Sequence, residues 1–389
     1  MTISEYLLLF KELRIKPQIP NFEKQIVISP FIAKGIPINF IPICSSSVFP
    51  EIVNIMDKDY IIWDSTFWEF FKAQAELMYA IGLSINTKNE LNQKPSYFAP
   101  FGVSMKKNFL LYLSYRMGGY NSIAHILSQY FFEMRHPMKP AVRFLATNLE
   151  ICETYIKHFV SEHEANHILF SKKPDFYKEY SKNTIECINF VLNNKMFYND
   201  LPEKEVELFE GAIQNVLSSN YELEELCCDL GAFESTVKAV EIITKQPLET
   251  IFSVLIESTY LFRILLSNLY IVDKVWQDAI CFPEKIEYIS SSKNLVNVYI
   301  RNRLFQCIVR VFMYMKYKKD YFNVPLTCNK HVQVDYEFTQ PIINELCNAK
   351  FIREVFSKSQ KNFNAKKVDI LRKALLKEKF KPWEGYNYL

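Results

Sequence analysis

The chain has 389 residues, 49% of them hydrophobic and 15% aromatic, with only 8 glycines. That composition excludes a disordered or low-complexity protein and supplies a large core. A formal charge of +3 is too small to argue for nucleic-acid binding by itself.

The N-terminal part reads as extended. KQIVISPF and GIPINFIPIC place β-branched residues between prolines, and DYIIWDS at 59–65 is a further short strand candidate. The opening MTISEYLLLFKELRIKP lacks the basic start and long apolar run of a signal peptide. Nine cysteines form no C-x-x-C pair. The adjacent Cys227 and Cys228 point to different sides of a helix. Reduced thiols in a cytoplasmic protein are the expectation.

Helices dominate from Ser65 or Thr66 onward, where either residue can cap a helix over about 66–82. Helical patterns follow at 106–117 and 121–134. Thr147-Asn148-Leu149-Glu150 has the form of a capping box and opens a long helix through ICETYIKHFVSEHEANHILF. Its apolar stripe of Ile151, Tyr155, Ile156, Phe159 and Val160 runs directly into His163 and His167. Further helices are expected around 178–193, over 203–217 and over 220–246, then onward to about 318. The apolar window 251–272 carries Glu257 and Arg263, which favours a buried helix over a membrane span. NVPLTCNKHVQVDYEF at 323–338 reads as a loop with strand character, before two last helical stretches. The fold class expected is α+β and mainly α-helical. Three parts are expected: a β-containing segment at 1–65, a helical core at 66–275 and a helical region at 276–389.

His163, Glu164 and His167 spell H-E-x-x-H. Histidines at i and i+4 share one helical face and can grip one metal ion. Glu164 is offset by about 100° around the helix, so it reaches a metal-bound water without being a ligand. Such a carboxylate can take the water's proton and hand it on to a leaving amine. The competing reading is two core histidines satisfied by their neighbours.

Zinc needs a third ligand. Position 173 is Lys173 and position 170 is Phe170, which excludes the H-E-x-x-H-x-x-G-x-x-H pattern. A downstream helix offers YELEELCCDLGAF, in which Glu225 and Asp229 lie four apart. Glu225 is the candidate ligand. Asp229, one turn on, is the candidate for orienting a ligating histidine from behind. Glu222 and Glu224 flank the pair, and Glu224 is the nearest competitor. The same acids also suit a solvated, negative first turn of a helix.

With both motifs in view, His163-Glu164-x-x-His167 and Glu225-x-x-x-Asp229 resemble those of the gluzincin metallopeptidases. The resemblance covers the two motif helices, about a quarter of the chain. It implies a zincin-like core of two metal-binding helices, a Zn2+ cofactor, and hydrolysis of peptide bonds in a protein substrate. Glu164 is then the base, with His163, His167 and Glu225 as ligands. A looser resemblance is to cytoplasmic bacterial phage-exclusion peptidases, which implies a role in phage defence. Two departures stand out. Asn166 replaces the small residue usual before the second histidine. No substrate-holding edge strand can be identified, since Pro30, Pro37 and Pro42 leave only short pairing stretches.

His331 and Tyr336 are candidate donors to a developing oxyanion, because loops often carry function. His125, His136 and His158 read as structural or surface residues. The segment from Lys366 to Lys381 is basic at roughly helical spacing and reads as a solvated helix face. Two alternatives to a peptidase therefore stand. One is a non-catalytic helical protein with a structural metal or polar core cluster. The other is a nucleic-acid or membrane-surface binder that uses this tail.

Overall fold

A computed structural model of the chain describes residues 39–43, 51–55, 58–86, 99–117, 121–134, 146–284, 295–318 and 329–359. The strand expected in KQIVISPF, His136 and the basic tail lie outside these residues.

The described part begins with a three-stranded sheet. β1 (Asn39–Ile43), β2 (Glu51–Ile55) and β3 (Lys58–Asp64) are ordered β1-β3-β2. β1 runs parallel to β3 and β2 antiparallel to it. Pro42 sits in β1, an edge strand among the described residues, where a missing N–H is tolerated. On one face of β3, Asp59 and Ile61 are buried.

All the remaining described elements are helical, so the protein is mainly α. β3 passes without a break into α1 (Ser65–Asn86), which is followed by α2 (Ala99–Arg116) and α3 (Asn121–Glu133). Then come α4 (Ala146–Lys172), α5 (Pro174–Asn193), α6 (Glu203–Ser218) and α7 (Asn220–Thr244). The chain continues through α8 (Leu248–Cys281) and α9 (Leu295–Tyr317). The described part closes with the short α10 (Asn329–Val334), α11 (Gln340–Leu346) and α12 (Ala349–Ser359).

α8 organises the core. It spans 34 residues and is apolar on nearly every side, the pattern of a helix enclosed by others. By length and composition it could cross a membrane, yet 67% of its most apolar window is buried within the protein. Phe262 stacks on Trp68 of α1 at 6.1 Å and meets Phe67 and Phe71 edge-on. Trp276 is fully buried and donates its indole N–H to the Leu346 carbonyl at 3.2 Å. The expected boundary at 275/276 thus falls inside one continuous helix. One buried apolar cluster extends from Phe67 to Val355, so the C-terminal helices share the core of the preceding ones.

The strand-like loop expected over 323–338 is corrected in its described part. Residues 329–334 are α10, and Asp335–Thr339 form a π-helical turn leading into α11. The alternating valines of HVQV suggested a strand. The buried face is in fact His331, Val334 and Asp335, at i, i+3 and i+4. Two of those three side chains are polar, and this hid the helical period.

Candidate metal centre

α4 and α7 pack face to face and carry both motifs. On α4, Ile156, Phe159 and Val160 are buried, and the stripe continues into His163 and Glu164, which are also buried. α7 opens with Ser219, whose hydroxyl accepts from the Glu222 N–H at 3.2 Å. From Glu225 to Glu234 every residue of α7 is buried. Cys227 and Cys228 are buried and free, as are all seven described cysteines. They make different contacts. The Cys227 thiol lies 3.3 Å from the Thr184 hydroxyl, while the Cys228 carbonyl accepts from Asn166 Nδ2 at 3.3 Å.

The Asn166 departure has a structural partner in Gly231. A Cβ on Gly231 would lie 2.7 Å from Asn166 Nδ2. The space that a small residue would leave on α4 is instead left on α7, and the two helices still approach closely.

This contact brings three donor atoms together. His163 Nε2 lies 3.3 Å from Glu225 Oε2, and His167 Nε2 lies 3.4 Å from Glu225 Oε1. The two Nε2 atoms are 3.3 Å apart. A tetrahedral zinc with ligand bonds of about 2.0–2.1 Å separates its ligands by about 3.3–3.4 Å. The three residues therefore fit a zinc-sized ion.

Each histidine is held from behind. His163 Nδ1 donates to Asp229 Oδ1 at 2.9 Å, and His167 Nδ1 donates to Glu224 Oε1 at 3.1 Å. Both bonds set the tautomer that turns an Nε2 lone pair toward Glu225. Asp229 is further fixed by the Arg263 guanidinium, which lies over the Phe305 ring at 4.1 Å. Asp229 thus bonds the His163 nitrogen that faces away from Glu225. Glu224, weighed as a rival ligand, faces the far nitrogen of His167.

Two lone pairs and a carboxylate facing one point repel one another unless a cation or protons lie between them. Burial alone would lower the His163 pKa, but its bonds to Asp229 and Glu225 outweigh burial and hold it well above 6.5. Burial opposes charge on His167 too, and bonds to Glu224 and Glu225 raise it to about 9. Burial pushes Glu225 up, and the two histidines overcome this and hold it far below 4.5. In each case the cluster favours positive charge at its centre.

Glu164 is 6% exposed. Its charge is felt by Tyr221, one turn before Glu225 on α7, whose hydroxyl bonds to Glu225. Burial, then Glu225, then Glu164 hold that hydroxyl protonated far above its usual pKa. Tyr221 is 40% exposed. Its hydroxyl is a hydrogen-bond donor to Glu225 at the rim of the site.

The centre is closed on one side and open on the other. The His163, Glu225 and Asp229 side chains are 7% exposed or less, whereas His167 is 20% and Glu224 40% exposed. The open side is formed by His167, Glu224 and Tyr221.

The other sequence candidates lie elsewhere. His331 Nε2 bonds to Glu257 at 3.0 Å and its ring packs edge-on against Tyr79. Tyr336 is 70% exposed on the π turn. His158 is partly buried on α4, and burial lowers its pKa. Tyr221 and Arg263 were missed. Tyr221 carried a usable signal, the i−4 spacing to Glu225. Arg263 carried none, since 34 residues separate it from Asp229.

No protein-family model, no curated protein and no solved structure matches this chain.

Proposed function

We propose that the chain is a zinc-dependent peptidase acting on a protein substrate. The carrying observation is the convergence of His163 Nε2, His167 Nε2 and Glu225 at 3.3–3.4 Å, with the buried Glu164 next to His163 in the chain. Zinc held by these residues would supply a water acidic enough to lose a proton near neutral pH and a positive charge to polarise the peptide carbonyl. Glu164 would accept a proton from the attacking water as its oxygen bonds to the carbonyl carbon, and would pass that proton to the amine nitrogen as the C–N bond breaks. Tyr221 would turn its O–H from Glu225 to the carbonyl oxygen as negative charge builds there. Asp229 and Glu224 keep both imidazoles turned inward throughout.

A second reading has an observation of its own. His163, His167, Glu224, Glu225, Asp229 and Arg263 are already linked to one another by hydrogen bonds and ion pairs. A polar core cluster or structural metal site would use the same contacts and leave Glu164 without a role in chemistry.

Metal content by mass spectrometry, wild type beside Glu225→Ala, tests the first reading. One zinc per chain, greatly reduced in the variant, is expected. A folded, metal-supplied wild type that holds none would sink it. Cleavage assays on Glu164→Gln then separate catalysis from a structural role.

A further inference from the structure

Asp335 is a buried acid apart from the metal centre, 1% exposed at the start of the π turn between α10 and α11. Neutral groups from three helices donate to it. Asn268 of α8 reaches Oδ1 at 2.6 Å, while Tyr299 of α9 and Gln340 of α11 reach Oδ2 at 2.5 and 2.8 Å. Gln340 Nε2 also donates to Asn268 Oδ1 at 2.9 Å. The Tyr299 hydroxyl stays protonated, because burial and then the charge of Asp335 hold its pKa far above the usual value. Burial pushes the Asp335 carboxyl above its ordinary range against four polar neighbours, Tyr299, Gln340, Asn268 and Thr339, none of them a cation. The network thus carries one negative charge, and an unopposed carboxylate is costly to bury.

The π turn builds this arrangement. Residues five apart on a regular α-helix point about 140° away from each other. In the wider turn the Gln340 N–H bonds the Asp335 carbonyl, five residues back, and the two side chains meet on one side. The same turn leaves oxygens unused. Gln340 is 4% exposed, and its Oε1 is buried with no hydrogen-bond partner among the described residues. Oε1 shares a carbon with Nε2, so it lies about 2.3 Å from an atom in contact with both Asp335 and Asn268. Thr339 Oγ1 is likewise buried and without a hydrogen bond, beside the same carboxylate.

We infer that this network binds a monovalent alkali cation, with Asp335, Gln340 Oε1 and Thr339 Oγ1 as its oxygen donors. One ligand then answers both demands, the unopposed charge and the unused acceptors. Donors that are all oxygen select a hard cation over zinc or copper. A single carboxylate balances a single charge, whereas a divalent ion would leave net positive charge buried. The bound cation would fasten α8, α9 and α11 to one another. The inference stands apart from the zinc-peptidase reading and needs no activity to test.

Full-length protein is melted in choline chloride, sodium chloride and potassium chloride at equal ionic strength. Sodium or potassium should raise the melting temperature over choline by about 1–3 °C, with a saturable dependence on concentration. Asp335→Asn keeps the shape of the side chain and removes its charge, and should abolish the difference between the salts. Gln340→Met removes Oε1 at similar volume and carries the same test if Asp335→Asn fails to fold. Equal melting of the wild type in all three salts overturns the site, as expected if a proton alone satisfies Asp335. An alkali-ion effect that survives in the variant overturns it too, because the ion then acts elsewhere.

Discussion

Asn166 and Gly231 occupy complementary halves of one contact: the asparagine amide fills the volume that a Cβ on residue 231 would need, at 2.7 Å. Gly231→Ala should therefore destabilise the protein by about 1–3 kcal/mol through overpacking between α4 and α7. Adding Asn166→Ala to Gly231→Ala should recover part of that loss. Thermal or urea unfolding of the two single variants and the double variant measures the coupling. Strict additivity would show that the two residues do not compete for space.

The two carboxylates behind the histidines should differ in weight. Asp229→Asn removes an acceptor that is 4% exposed and leaves Arg263 without its buried carboxylate, so zinc affinity should fall about 10–100-fold with some loss of stability. Glu224→Gln alters a group that is 40% exposed and should cost less in both respects. Competition with a chromophoric chelator reads the affinities.

Glu164→Gln keeps size and hydrogen-bonding capacity while removing the base. Zinc content and melting temperature should hold, while peptide cleavage falls about 10²–10⁴-fold. Tyr221→Phe removes one donor at the carbonyl oxygen and should lower kcat about 10²–10³-fold with little change in KM. A Tyr221→Phe variant of full kcat would leave the tyrosine only its bond to Glu225.

Without metal, protons hold the cluster together, and stability should follow them. His167 is raised from 6.5 to about 9. Its contribution is fully present below pH 6.5 and is lost as pH rises through about 9. Glu225 is lowered from 4.5, so its contribution is present above pH 4.5 and is lost only in stronger acid. In chelator, the melting temperature should be highest between about pH 4.5 and 6.5 and decline toward pH 9. Zinc should reverse that decline, since rising pH frees the imidazoles for the metal. A chelated protein equally stable at pH 6 and pH 9 would contradict this.

The sequence by itself determined what is local in this protein. Four-residue spacing puts His163 and His167 on one face, and the apolar residues preceding them turn that face inward. Glu225 and Asp229 share a face for the same reason. The long helices announced themselves because an amphipathic period survives in one dimension. Only the tertiary structure decided the rest. How α7 is rotated against α4 determines which of Glu222, Glu224 and Glu225 meets the histidine Nε2 atoms, and that rotation depends on Gly231 accepting Asn166. Arg263 enters the centre because α8 crosses behind Asp229, a contact between residues 34 apart in the chain. His331 was misplaced because its short helix buries polar groups, and polar groups at buried positions erase the period by which a helix is read. Packing against distant elements sets these features, and no local pattern encodes it.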